Sequence, residues 1–132
     1  MTALNPFVQE VFDAHLAIEQ WLSGLAPRES LPALLKRFSA RFTLLGPQGT
    51  LLDRQGIESF FSSSHGARPG LSIALDEVAP VGAWDGSTLI GYRERQTVSN
   101  GHQTLRRSLA LFDRDRSGNV VWRHLHETWV QS

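Results

Sequence analysis

No cysteine occurs among the 132 residues, which excludes disulfides, zinc–thiolate sites and a cysteine nucleophile, and leaves the redox compartment open. Charge of one sign is equally lacking. Thirteen basic residues balance thirteen acidic ones, so no net field draws in a phosphate backbone or an anionic lipid surface, and neither a nucleic-acid nor a membrane partner is expected. No stretch approaches the ~20 apolar residues of a membrane span. The opening MTALNPFVQE lacks the basic start and unbroken apolar run of a signal peptide, so the expected location is cytoplasmic. Glycine-rich phosphate loops and nucleophile elbows are missing too, so no cofactor is expected and hydrolase chemistry has no support.

What is present suits a packed core. Hydrophobic residues make up 41% of the chain, with four Trp and seven Phe, and a chain this long buries roughly two thirds of its unfolded surface. One domain over residues 1–132 is expected, since compact domains most often hold about 100–150 residues. No linker, repeat or low-complexity tract divides it.

Asn5-Pro6 supplies an N-cap and a first-turn proline, and Phe7, Val8, Val11, Phe12, His15, Ile18, Glu19 and Leu22 then recur at helical spacing as far as Ser23-Gly24. Ser30 and Pro32 start a second helix that carries Leu34, Leu35 and Phe38 and ends near Ala40. A short hairpin turns at Gly46-Pro47-Gln48-Gly49, and Asp53 caps a third helix through Ile57, Phe60 and Phe61. Strand signals follow Pro69-Gly70 to the C-terminus. Helices lying against one face of a curved antiparallel sheet, an α+β architecture, are expected.

Turn chemistry assigns side chains to faces. With Asn100-Gly101 as a two-residue type I′ turn, Glu94 lies opposite Arg107, Tyr92 opposite Leu109 and Ile90 opposite Leu111. With Ser117-Gly118 at the centre of the next hairpin, Leu111 faces His124, Leu109 faces His126 and Arg107 faces Thr128. One face then collects Ile90, Tyr92, Glu94, Arg107, Leu109, Leu111, Trp122, His124, His126 and Thr128, and its apolar content puts it beneath the helices. The other collects Arg93, Arg95, Arg106, Ser108, Ala110, Phe112, Arg123, Leu125, Glu127 and Trp129. Its apolar members suggest a covering partner, most simply a second copy bound through the outer sheet face.

Charged groups on an inward face must satisfy one another or line a pocket. His15 and Glu19, at i and i+4 on the first helix, point toward the same place. The expected pocket therefore joins His15, Glu19, Tyr92, Glu94, Arg107, His124 and His126. In an enzymatic reading His126 or His124 is the general acid or base, Glu94 orients it, and Tyr92 and Arg107 stabilise an enolate-like oxygen; His15, Glu19, Trp122 and Leu109 line the ligand. A cross-strand Glu94–Arg107 bridge and hydrogen-bonded histidines filling space form the structural alternative. A metal held by His124, His126 and Glu94 is weighed and not adopted. HETWV lacks the second histidine of a zinc-protease helix, with Val130 in its place. DRDRSGN lacks the terminal glutamate of a calcium loop, with His124 there.

The order helix, helix, hairpin, helix, long bent sheet, ending in VVWRHLHETWV, resembles the nuclear transport factor 2-like superfamily, which includes SnoaL-like and ketosteroid isomerase-like proteins. Through HLAIEQWLSG, GYRERQTV, LRRSLALF and WRHLHETW it is most similar to a bacterial branch of small proteins of unknown function. The resemblance implies a cone-shaped, cystatin-like sheet wrapped around three helices, a pocket inside the cone, and usually a homodimer. Trp122, His124 and His126 match closing-strand positions that point into the cone in related members. The isomerases' Tyr and two Asp have no counterpart, and the two His, the Tyr and the carboxylates look more similar to the dehydratase members. The expectation is acid–base chemistry of isomerase, dehydratase or cyclase type on a small apolar carbonyl or ring compound, without a cofactor. The alternative is a non-catalytic binding or homodimeric assembly module.

Overall fold

A computed structural model describes residues 5–131; residues 1–4, where the signal-peptide reading begins, and residue 132 lie outside the described residues. Helix α1 spans Pro6–Ser23. Asn5 Oδ1 accepts hydrogen bonds from the Phe7 and Val8 amides at 2.8 and 3.3 Å, Pro6 fills the first turn, and Gly24 ends the helix in the left-handed region at φ 87°. Its inner side buries Val11, Ala14, His15, Trp21 and Leu22. Trp21 donates from Nε1 to the Phe61 carbonyl at 2.9 Å, whereas Trp84 is exposed.

The second helix is shorter than its sequence suggests. α2 covers Leu31–Leu35, and Phe38 already belongs to strand β1, Phe38–Leu45. Ser30 does not cap it, because its hydroxyl donates to the Pro27 carbonyl at 2.6 Å. Strand pairing prevails over helical spacing here: the Trp122 amide donates to the Arg37 carbonyl at 2.8 Å, and Phe38 packs against the rings of Phe42, Phe61 and Trp122. β2, Leu51–Asp53, completes the expected hairpin, and α3, Arg54–Ser63, starts with Asp53 accepting from the Gly56 amide at 2.8 Å.

Four long strands follow: β3 Ser72–Trp84, β4 Ser87–Thr97, β5 Gln103–Arg114 and β6 Val120–Trp129. The sheet order is β2-β1-β6-β5-β4-β3, antiparallel at every pairing except β1 with β6, which run parallel. α1 packs across β3, β4 and β6, and α3 packs on β1 and β2. The architecture is α+β, as expected, with a mixed sheet. Two irregularities bend β3, and Glu77 at the first of them has φ 51°, rare for a residue with a side chain. Its carboxylate forms an ion pair with Arg93 Nε at 2.6 Å, while that Nε–H donates to Asp76 Oδ1 at 2.7 Å.

The register between β4 and β5 differs from the expected one by a single residue. Val98 receives the Gly101 amide at 2.8 Å and donates to the His102 carbonyl at 3.1 Å, so the loop holds three residues, with Gly101 left-handed at φ 85°. Glu94 consequently pairs with Arg106, Tyr92 with Ser108 and Ile90 with Ala110. A slip of one exchanges the two faces of β5 relative to β4. The next hairpin also has a three-residue loop, with Arg114 opposite Val120, but an irregularity between Leu111 and Phe112 restores the expected pairs Leu111–His124, Leu109–His126 and Arg107–Thr128. At that irregularity Trp122 turns inward beside Phe112 while His124 turns outward.

The expected single face is therefore corrected. Ile90, Tyr92, Glu94 and Trp122 lie inward with Ser108, Ala110 and Phe112, all seven buried. Arg107, Leu109, Leu111, His124, His126 and Thr128 share the outward side. Leu125 and Phe112, expected outside, belong to the interior.

Candidate functional site

A cavity of about 280 Å³ lies between the helices and the inner face of the sheet. Ile18 and Leu22 of α1, Ile57, Phe60 and Phe61 of α3, Phe38, Phe42 and Leu44 of β1, and Leu125 of β6 form its apolar walls. Its polar wall is made of His15, Arg68, Glu94, Gln96, Arg106 and Glu127. Apolar walls with a few converging polar groups are the usual anatomy of a small-molecule site.

His15 is fixed at both ring nitrogens by acceptors. Nδ1 lies 2.7 Å from the Val11 carbonyl and Nε2 lies 3.1 Å from Glu94 Oε1. A ring facing two acceptors is placed to donate from both nitrogens, an arrangement that favours the imidazolium form. Burial works against that charge, but the Glu94 carboxylate, through its charge and its hydrogen bond, outweighs it together with the Val11 carbonyl, and His15 titrates above the ordinary histidine value. Burial would likewise raise the Glu94 carboxyl. His15, the Arg106 charge and a 2.6 Å hydrogen bond from Gln96 Nε2 instead hold it at about 2. Gln96 in turn accepts at Oε1 from the Arg68 guanidinium.

Glu127 has the opposite setting. Among the described residues its carboxylate receives only long contacts from Arg106, 3.3 Å to each oxygen. Burial raises its pKa and the nearby Glu94 charge adds to that, while Arg106 compensates only in part. One buried carboxyl of the cavity is thus held ionised and the other is pushed toward protonation. Such divergence separates a fixed charge from a proton-transfer group. Arg106 also stacks over the Trp129 ring at 4.7 Å.

The residues singled out from sequence are split by this geometry. His15 and Glu94 meet in the cavity wall, and Tyr92 packs edge-on against His15 with ring centroids 5.2 Å apart. Burial, then the charges of Glu94 and Glu127, push the Tyr92 hydroxyl well above its ordinary pKa. Glu19 does not touch His15; it accepts the Ile73 amide at 2.6 Å and ties α1 to β3. Trp122 is core, donating from Nε1 to Glu10 at 3.1 Å. Arg107 does not meet Glu94 and instead reaches Glu77 at 3.5 Å. His124, His126 and Leu109 face away from the cavity, so neither imidazole can be oriented by Glu94, and the weighed two-histidine, one-carboxylate set does not assemble. His124 Nδ1 lies 2.7 Å from the Thr43 hydroxyl, and burial followed by the charges of His126 and Arg123 lowers its pKa. Among the described residues no group of three or more His, Cys, Asp or Glu is placed to hold a metal ion.

Sequence reasoning missed Arg106, Glu127, Gln96 and Arg68. Counting the Asn100-Gly101 loop as three residues would have put Arg106 on the face of Glu94, whereas nothing in the sequence marks Arg68.

A long helix packed on one face of a bent six-stranded mixed sheet, with ionisable groups at one wall of an apolar cavity, defines an α+β fold of the kind shared by NTF2-like proteins. An NTF2-like protein of unknown function from Pseudomonas aeruginosa superposes with a TM-score of 0.90 and is 34% identical over 96% of this chain and 100% of that one. The chain belongs to the NTF2-like family. A Streptomyces avermitilis protein named as a dehydratase of that family gives a TM-score of 0.72 at 14% identity, covering 96% of this chain and 97% of its own. A Parabacteroides distasonis protein named as a ketosteroid isomerase gives 0.70 at 8%, covering 95% and 86%. At those identities the likeness shows the fold alone. No family model and no curated protein matches the sequence. No helix among the described residues is long and apolar enough to cross a membrane.

Proposed function

We propose that the inner cavity binds a small, mainly apolar carbonyl or ring compound and moves a proton on it, an isomerase, dehydratase or cyclase type of reaction carried by the chain's own side chains. The observation that supports this reading is Glu127, a buried carboxyl with a raised pKa, facing the cavity beside a second carboxylate that stays ionised. Glu127 is the proton-transfer group, Arg106 steadies its conjugate base, and the His15–Glu94 pair is the fixed charge that sets its field. This moves the acid–base role from His126 and His124 to Glu127.

The test is deuterium exchange at the α-carbon of a bicyclic ring ketone such as β-tetralone in D₂O, followed by NMR. Wild-type protein should accelerate exchange, Glu127→Gln should slow it by about a hundredfold, and His126→Ala should leave it unchanged. A wild type without acceleration would leave ligand binding alone as the cavity's role.

A second reading, homodimeric assembly, is favoured by the outer face. Exposed Leu109 and Val81 line, with Ala79 and Gly91, a hollow of about 530 Å³ that also holds Arg107, His126 and Thr128. A second copy would cover that apolar floor. In sedimentation velocity the wild type should run as a dimer and Leu109→Glu as a monomer; a monomeric wild type would rule this reading out.

A further inference from the structure

Charge at the cavity's polar wall does not close. His15 is paired with Glu94, and Arg106 is paired with Glu127. Arg68 is left over: its one side-chain partner is the neutral Gln96 oxygen, and no carboxylate among the described residues lies within ion-pair reach of it. Its backbone is anchored, with the Arg68 amide donating to the Leu22 carbonyl at 2.8 Å and the Leu71 amide donating to the Arg68 carbonyl at 3.2 Å. The neighbouring Gly66 amide donates to the Trp21 carbonyl at 3.1 Å. The segment between α3 and β3 is therefore held against the end of α1, and the guanidinium is carried to the wall with donors to spare.

We infer that the cavity's ligand is a monoanion, an aryl or alicyclic carboxylate whose acid group pairs with Arg68 while its apolar body lies among Phe38, Phe42, Phe60 and Phe61. Three features converge on this class. Of the cavity's three basic side chains, His15 and Arg106 each face a carboxylate and Arg68 faces none among the described residues. The guanidinium fork suits a carboxylate in bidentate contact. The facing walls are aromatic and aliphatic, so the rest of the molecule must be apolar. A cationic ligand would meet His15, Arg68 and Arg106 together. A neutral one would leave the Arg68 charge uncompensated in a partly desolvated wall. Gln96 adds selectivity, because its amide is oriented by Glu94 on one side and presents its oxygen to Arg68 on the other, holding the guanidinium without cancelling its charge.

The inference rests on the cavity being a ligand site, and the experiment separates the two. Naphthoate and its neutral primary amide, naphthamide, are titrated into the protein by NMR at pH 7. Naphthoate should bind about tenfold more tightly, both probes should shift the amides of Phe42, Phe60 and Phe61, and Arg68→Gln should bring the two probes to the same affinity. Equal affinities in the wild type would overturn the anion assignment and leave the cavity standing. A preference for naphthoate that survives Arg68→Gln would overturn the assignment to Arg68. If neither probe moves those amides, the ligand-site reading fails together with the inference.

Discussion

Replacing His15 with alanine should destabilise the fold by about 3–5 kcal/mol, because it strands the Glu94 carboxylate in the interior with only Gln96 as a direct partner. The pair also sets the pH dependence. The Glu94 carboxyl lies at about 2 in the folded chain against an ordinary 4.5, so its contribution is present above that ordinary value and is lost as pH falls from 4.5 toward 2. His15 is raised above its ordinary 6.5, so its contribution is full below 6.5 and is lost as pH rises through the folded-state value. The two are one interaction seen from both partners, and stability should form a plateau between those limits. Urea midpoints measured across pH should show both limbs in the wild type, and the alkaline limb should be absent from His15→Ala. A variant that keeps the alkaline limb would refute the assignment. Removing both partners, in His15→Leu with Glu94→Leu, should cost less than removing His15 alone, since no orphaned charge remains.

Trp122→Ala should be of similar size, about 3–5 kcal/mol, for a different reason. The side chain is 1% exposed and packs against Phe112, Phe38 and His15, with ring centroids at 4.6, 6.2 and 5.8 Å. Alanine would leave a void where β1, β5, β6 and α1 meet, which dense packing around it cannot refill. Trp122→Phe should lose much less, keeping most of the ring and giving up the hydrogen bond to Glu10, which Arg37 still holds at 2.7 Å. Denaturant unfolding with the slope held constant separates the two variants; equal losses would show that the hydrogen bond outweighs the packing.

The first and third helices, the first hairpin and the family were legible because their signals are local, whereas the second helix was cut short by the pairing of Phe38 in β1. Asn5-Pro6 and Asp53 cap where sequence rules place a cap, and Gly24 terminates where a left-handed residue is needed. The site was legible only in part, because its membership depends on whether a loop has two residues or three. Asn100-Gly101 suits the centre of a type I′ turn, and Gly101 equally suits the left-handed end of a three-residue loop. Hydrophobicity then misleads, since Arg107, Leu109 and Leu111 form a more apolar row than Arg106, Ser108 and Ala110. In its middle β5 turns its small residues, Ser108 and Ala110, to the concave side, where Tyr92 and Ile90 of β4 and the aromatics of β1 and β6 already fill the space. Tyr92, Glu94 and Trp122 were therefore placed correctly while Arg107, Leu109, His124 and His126 were not. Arg68 depends on a tertiary anchor between a loop and the end of α1, which no periodicity encodes.

The position of β6 between β1 and β5 has a consequence for how the molecule is assembled. The meander of β3, β4 and β5 can form from neighbours in sequence, but the hairpin that carries α3 joins it only through the latest of the strands, in a parallel pairing of distant segments. Until Val120–Trp129 is in place, β1 and β5 each present a bare edge, and the aromatic side chains meant for the interior have no opposite wall. Maturation is thus gated by a single insertion event, and a nascent chain cut short before Val120 would be a substrate for chaperones and proteases rather than a smaller version of the fold.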